Sequence, residues 1–253
     1  MTPDEYLQRI LNREAVDSGP YSPLRGVHAA LDPIIREWAG DRFLTMHPSG
    51  SFMKGTANKS GTDIDFFISL SEHTTKTLKE IYDKLFSRMK EKGYAPTRQN
   101  VSVNVRVNGY SVDLVPGKRQ NGYGDDHSLY RRKADTWTKT NVVTHINHIT
   151  RAGHLRESRI IKLWRNQRQL DFPSFYLELT VIDALSQQSS GALSDNVWTV
   201  LQHLRDRFPI ARVVDPANAN NIISDDLSAA ERTKIKTAAE QTLKASSWSE
   251  VII

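Results

Sequence analysis

The stretch 50-GSFMKGTANKSGTDIDFF-67 decides how this chain is read. A Gly-Ser turn opens it at Gly50 and Ser51, and a Gly-Thr pair follows at Gly55 and Thr56. Two aspartates one residue apart, Asp63 and Asp65, then lead into an apolar run. The run "TDIDFFISL" has the aromatic and β-branched content of a strand. Side chains at i and i+2 of a strand point to one face, so Asp63 and Asp65 project together with Ile64 opposite. Gly50 lets the backbone come close to a ligand. Ser51 opens a short helix whose unbonded amides can receive phosphate oxygens.

A third carboxylate lies downstream. Residues 100–107, "NVSVNVRV", alternate polar and apolar, the period of a half-buried strand. Asn108-Gly109 is a hairpin turn, and the return strand "YSVDLVPG" carries Asp113. If that strand lies beside the 63–70 strand, Asp63, Asp65 and Asp113 share one sheet face. Three anions so close repel and raise one another's pKa values. Divalent cations with a taste for hard oxygen ligands, Mg²⁺ or Mn²⁺, relieve that repulsion. Two such ions about 3.5–4 Å apart suit phosphoryl transfer. A bare D-x-D pair also fits a solvated strand end or a turn. The phosphate turn, spacer, paired carboxylates and distant third carboxylate together are more specific than any one part.

Working outward, the N-terminal 3–14 reads as an amphipathic helix and 23–39 as a second helix, kinked or divided at Pro33. "RFLTMHPSG" reads as a strand entering a turn, and 75–91 as a lysine-rich helix. After about residue 125 the pattern turns helical, with helices expected over 138–152, 154–169, 174–187, 194–207 and 227–246 and a loop, "PIARVVDPANANNI", before the last. The reading is an α+β chain: a mixed-sheet catalytic core over 1–135 and a helical bundle over 136–253, with the site in the cleft between them. The 253 residues suffice for a sizeable core, with 38% hydrophobic and 25% charged residues. Cysteine is absent, which excludes disulfides and thiolate metal sites and fits a reducing cytoplasm. No apolar run reaches the roughly 20 residues of a membrane span. A net charge of +5 leans toward polyanions, or is simply a basic soluble surface.

The motifs resemble those of DNA polymerase β-type nucleotidyltransferases, whose pattern is G-S, a spacer, D-x-D and a third Asp on a later strand. Gly55-Thr56 within the spacer is similar to the branch holding oligoadenylate synthetases, cyclic GMP-AMP synthase and the bacterial CD-NTases. "DTWTKTNVVTHINHI", "RESRIIKLWRNQ", "PSFYLELTVIDAL" and "VVDPANANNI" resemble later CD-NTase segments in the same order. The resemblance implies a polymerase β-like core whose Asp63, Asp65 and Asp113 bind two Mg²⁺ or Mn²⁺ ions. It implies that Gly50 and Ser51 hold the β- and γ-phosphates of an NTP, and that Lys162 and Ser174 reach the triphosphate from the helical half. Tyr176 either stacks on a base or packs in the core, and Ser174 also suits a helix cap.

The activity implied is template-independent joining of NTPs, ATP among them. A ribose hydroxyl attacks the α-phosphorus and pyrophosphate leaves. The product implied is a cyclic or short linear oligonucleotide acting as a second messenger in bacterial anti-phage (CBASS-type) signalling. The alternatives are an RNA-directed transferase, acting on tRNA 3′ ends or toxin-like, and a silent nucleotide-binding regulatory module. A regulatory partner or RNA is a further expectation, with no membrane association and no oligomeric state indicated. His145 and His148 sit one helical turn apart without an evident third ligand, and His47 reads as scaffold. Arg106, Lys118, Arg119 and 131–133 form either a basic rim or an ordinary charged surface. Asp215, Pro216, Asn220 and Asn221 read as turn formers. The apolar end "SSWSEVII" either docks on the fold or serves a partner.

Overall fold

The alternating stretch and the hairpin behind it build the middle of a seven-stranded sheet. In the computed structural model, which describes residues 1–253 except 18, 20, 62 and 188–190, the strands are β1 (Phe43–Pro48), β2 (Ile64–Leu70), β3 (Thr97–Arg98), β4 (Val103–Val107), β5 (Tyr110–Arg119), β6 (His127–Arg131) and β7 (Thr136–Thr140). Their order is β1-β2-β5-β4-β3, with β6 pairing both β5 and β7. β2 and β5 run parallel, and the other pairs are antiparallel.

The helices are α1 (Pro3–Arg13), α2 (Pro23–Ala39), α3 (Gly50–Lys54), α4 (Leu78–Glu91), α5 (Val142–Ala152), α6 (Leu155–Gln167), α7 (Ser174–Leu185), α8 (Leu193–Asp206), α9 (Ala229–Thr242) and α10 (Trp248–Val251). A small hairpin of β8 (Val214–Asp215) and β9 (Asn218–Ile222) completes the set.

Two compact units form. The sheet unit holds Val16–Gly55 and Gly61–Ile146; the helical unit holds Met1–Ala15, Thr56–Ser60 and Asn147–Ile253. The division is therefore not a single cut at residue 135, because α1 and five residues of the D-x-D spacer go with the helices. In the sheet unit, Ile64, Phe66, Ile68 and Leu70 of β2 and Val112 and Leu114 of β5 share one face. They meet Val27, Leu31 and Ile35 of α2 and Ile81, Tyr82, Leu85 and Met89 of α4. That face is closed by core, which leaves Asp65 and Asp113 on the other.

Four sequence expectations change. Pro33 does not divide α2, whose buried stripe of Val27, Leu31 and Ile35 runs on past the lost backbone bond. The chain does not turn helical after residue 125: β6 and β7 form a further hairpin, and the helix expected from 138 starts at Val142. "TWTKT" is a run of β-branched and aromatic residues, which suits a strand. The Asn141 side chain stops that strand by accepting from the Thr144 amide at 2.9 Å. The "DPANANN" loop is a hairpin, with Asp215 accepting from the Ala217 amide at 2.8 Å and from the Asn221 side chain at 3.0 Å.

The apolar end is also accounted for. Val251 and Ile252 are buried in the helical core. Polar hooks fasten the backbone beside them: Tyr6 donates to the Ile252 carbonyl at 2.9 Å, Arg168 to that of Val251 at 2.9 Å, and Gln167 to that of Ile253 at 2.7 Å. Ile252→Ala should destabilise the protein by about 2–5 kcal/mol, read as a lower denaturant midpoint with an unchanged slope.

Candidate active site

Parallel pairing of β2 with β5 puts Asp65 directly opposite Asp113. Both are half-buried and share the sheet face away from the core. The condition set by the sequence, that the two strands be neighbours, is met. Asp63 differs from expectation in that it precedes the first strand residue, Ile64, and is exposed. Among the described residues, no three His, Asp or Glu side chains stand close enough to hold an ion. The carboxylates are aligned on one edge of the fold without being closed into a cage.

Gly50 has a specific steric task. Its φ is +59°, and a Cβ built on it would lie 1.8 Å from Asp65 Oδ2 and 2.8 Å from Asp65 Cβ. Only glycine lets the turn sit flush against the aspartate. The Ser49 amide donates to the Asp65 carbonyl at 2.8 Å, so the turn is fastened at this residue. Ser51 lies in the first turn of α3, partly exposed.

The electrostatics of Asp113 follow from its surroundings. Burial pushes its carboxyl above the ordinary range, and the charge of Asp63 adds to that push. Hydrogen bonds from Asn104, whose Nδ2 donates to Oδ1 at 2.8 Å, and from Ser102 act in the opposite direction. A half-buried carboxylate that feels a second carboxylate belongs to a donor set suited to a hard divalent ion.

The same sheet face continues past the aspartates. Phe67 lies over Gly117, where a Cβ would come within 2.5 Å of its ring. Its ring centroid is 5.7 Å from that of His47 and 4.9 Å from that of His127. These residues, with Thr45, Ser69 and Arg119, line a small cavity of about 110 Å³. Burial depresses the pKa of His127. Neutral, it donates from Nδ1 to the Asp125 carbonyl (2.8 Å) and accepts at Nε2 from the Ser69 hydroxyl (2.7 Å). The sequence reading missed His127, because it took 125 onward as helical. His47, read as scaffold, lines this cavity.

In the helical unit, Ser174 is the first residue of α7, and its Oγ accepts from Arg165 Nη1 at 3.0 Å. The cation beside Ser174 is thus Arg165 rather than Lys162. Lys162 is buried and donates to Glu178 Oε1 at 2.5 Å, to Thr56 Oγ1 at 2.9 Å and to the Thr56 carbonyl at 3.3 Å. An ammonium has three protons, and these three acceptors use them. In this geometry the Lys162 ammonium is turned toward Glu178 and Thr56. Tyr176 is fully buried, with ring centroids 5.3 Å from those of Phe172 and Phe208. Of its two readings, base stacking and core packing, the structure shows the second. A three-residue shift along α6 separates Lys162 from Arg165, and the sequence alone offers no sign of which one faces Ser174.

No family model and no curated protein matches the chain. Solved structures match it along nearly its whole length. CdnC of E. coli MS115-1, in a complex with HORMA-deltaN, has a TM-score of 0.77 at 18% identity, covering 98% of this chain and 96% of that one. The CdnE cyclic dinucleotide synthase of Elizabethkingia meningoseptica, with GTP and Apcpp, has a TM-score of 0.74 at 14% identity, covering 97% and 100%. The CD-NTase CdnG of Bradyrhizobium diazoefficiens, in complex with GTP, has a TM-score of 0.79 at 13% identity, covering 96% and 90%. The chain has the polymerase β-like α+β fold of the CD-NTases. No helix among the described residues is long and apolar enough to cross a membrane.

The raised pKa of Asp113 makes a signed prediction. The folded protein holds the proton more tightly than the unfolded chain, so stability from this group is present below the unfolded pKa and lost as pH rises through the folded one. Without metal, Asp113→Asn should match wild type in thermal midpoint at mildly acid pH and exceed it at neutral pH. Added Mg²⁺ should raise the midpoint of wild type and leave that of the variant unchanged.

Proposed function

We propose that the protein is a template-independent nucleotidyltransferase that joins NTPs through attack of a ribose hydroxyl on an α-phosphate, with pyrophosphate leaving. The observation that carries this reading is the Asp65–Asp113 pair on one sheet face with the Gly50-Ser51 turn pressed against Asp65. The shared fold with CdnC, CdnE and CdnG supports it.

Asp63, Asp65 and Asp113 would hold two Mg²⁺ or Mn²⁺ ions, which supply charge neutralisation at the phosphates and a more acidic attacking hydroxyl. The amides of the Gly50-Ser51 turn and the Ser51 hydroxyl bind the β- and γ-phosphates of the donor. Within the helical unit, Ser174 and Arg165 pair a hydroxyl with a guanidinium, and the Arg165 fork suits bidentate phosphate binding. The Asp113 carboxylate, more basic than an ordinary aspartate, is the acceptor for the hydroxyl proton. Positioning and charge neutralisation supply most of the rate.

The product in this reading is a cyclic or short linear oligonucleotide, used as a second messenger in anti-phage signalling. Support for a cyclic product is the cyclic dinucleotide synthase CdnE. Support for a regulatory protein partner is the CdnC complex with HORMA-deltaN.

Incubation with α-labelled NTPs and Mg²⁺ or Mn²⁺, then phosphatase treatment and chromatography, tests the reaction. Wild type should yield a phosphatase-resistant product that a chelator abolishes. Asp65→Asn should lose at least about 100-fold in rate. Arg165→Met should raise the KM for NTP more than Lys162→Met does. Label entering only added tRNA would replace this reading with an RNA-directed transferase. Metal-dependent NTP binding with no transfer, with or without RNA, would replace it with a silent binding module.

A further inference from the structure

Three polar residues stand in one row across the middle of the sheet. Asp65 of β2 is registered opposite Asp113 of β5, and Asp113 opposite Asn104 of β4. Val103, Val105 and Val107 of β4 are buried in the core of the sheet unit, so the same alternation puts Asn104 and Arg106 on the aspartate face. The central strand therefore carries its carboxylate between a second carboxylate on one flank and a primary amide on the other.

The amide bridges two residues of β5. Asn104 Nδ2 has two protons: one goes to Asp113 Oδ1 at 2.8 Å and the other to Ser111 Oγ at 2.9 Å. Ser111 lies two residues before Asp113 on β5 and shares its face. Two acceptors thus fix the plane of the amide. Turned over, the amide would set its carbonyl against the carboxylate, acceptor against acceptor, so only the donating orientation suits an ionised Asp113. Ser102 also bonds Asp113, yet its hydroxyl has a single proton and Gln99 Oε1 competes for it at 3.2 Å. Asn104 has a proton for each of its partners. A cross-strand polar pair adds modestly to the stability of any sheet. This one differs in that its acceptor is a carboxylate with a task of its own.

We infer that Asn104 is a positioning residue for metal binding: by engaging Oδ1 from the β4 side it fixes the swivel of the Asp113 carboxylate, so that the group meets an ion in one orientation. This rests on the assignment of Asp113 to a metal under the proposed function. Asn104 itself touches neither ion nor nucleotide. A carboxylate already held in its binding orientation loses less freedom when an ion arrives. Partners of this kind set metal affinity by about 10- to 100-fold.

The test uses the full chain and the variants Asn104→Leu and Asn104→Ser. Leucine keeps the volume and removes the donor. Serine is too short to bridge both acceptors, and its small polar side chain suits a half-buried strand position if leucine prevents folding. Mn²⁺ binding is read from the electron paramagnetic resonance of the free ion, without nucleotide. Each variant should bind Mn²⁺ about 10- to 100-fold more weakly than wild type. In an Asp113→Asn background, Asn104→Leu should change Mn²⁺ affinity by less than about twofold, because the residue it acts through is gone. In NTP turnover, the Mg²⁺ concentration for half-maximal rate should rise by about 10- to 100-fold, while KM for NTP at saturating Mg²⁺ stays within about twofold.

Mn²⁺ affinity within about threefold of wild type in both Asn104 variants overturns the inference. So does an equal loss in the wild-type and Asp113→Asn backgrounds, which is what a merely structural role would give. If wild type binds Mn²⁺ but joins no nucleotides, the proposed function falls, and the Mn²⁺ comparison still decides the role of Asn104. A wild type that binds no Mn²⁺ overturns the metal assignment and this inference together.

Discussion

The parallel pairing of β2 with β5 places Asp65 opposite Asp113, and the candidate site is laid out along that one register. A slip of a single residue would send either aspartate into the core face, against Ile64, Phe66, Val112 and Leu114. Such a slip would bury an uncompensated carboxylate among aliphatic side chains, a cost far above the stability of a single hydrogen bond. The register is thus fixed by the same hydrophobic face that α2 and α4 cover. The carboxylates are held in place by what lies behind them.

The two units treat charge in opposite ways. On the sheet face, Asp113 is half-buried, feels Asp63 and is pushed toward its neutral form. In the helical unit, Glu178 and Lys162 are buried deeper still, yet each charge is matched by the other and by Thr56. Unmatched buried charge marks groups available for a ligand; matched buried charge marks structure. By that criterion the pressure on Asp113 marks the sheet face as the place for a ligand, and the Lys162–Glu178 pair reads as structure. Arg165, whose pKa burial depresses although Glu178 and Asp171 draw it up, stands between the two cases.

Much of this was legible in the residues. Period-2 alternation, the Asn108-Gly109 turn and the D-x-D spacing carry short-range geometry, and β2, β4 and β5 follow from them, with Asp65 opposite Asp113. What failed was long-range or one-turn-shift information. "TWTKT" pairs with β6 only through tertiary contact, and a Lys and an Arg three residues apart on α6 are equivalent until the packing of α7 chooses between them. Tyr176 was open between two roles because burial of an aromatic is decided by its neighbours, here Phe172 and Phe208. The membership of Thr56–Ser60 in the helical unit could not be read at all, since its hooks come from residues more than 40 positions away in sequence.

The contact between Gly50 and Asp65 has a consequence for how this sequence can change. The space a side chain at position 50 would need is taken by the carboxylate of residue 65 and even by its Cβ. Replacing Asp65 with alanine would still leave 2.8 Å between the two Cβ positions, too close for a real pair. Position 50 is therefore closed to every residue but glycine for as long as position 65 carries any side chain, and the positive φ keeps it closed thereafter. The two sites behave as a single heritable character with a fixed order of loss. The aspartate can disappear while the glycine remains, but the glycine cannot go first. In a lineage of such chains, position 50 should stay glycine whichever side chain position 65 comes to carry.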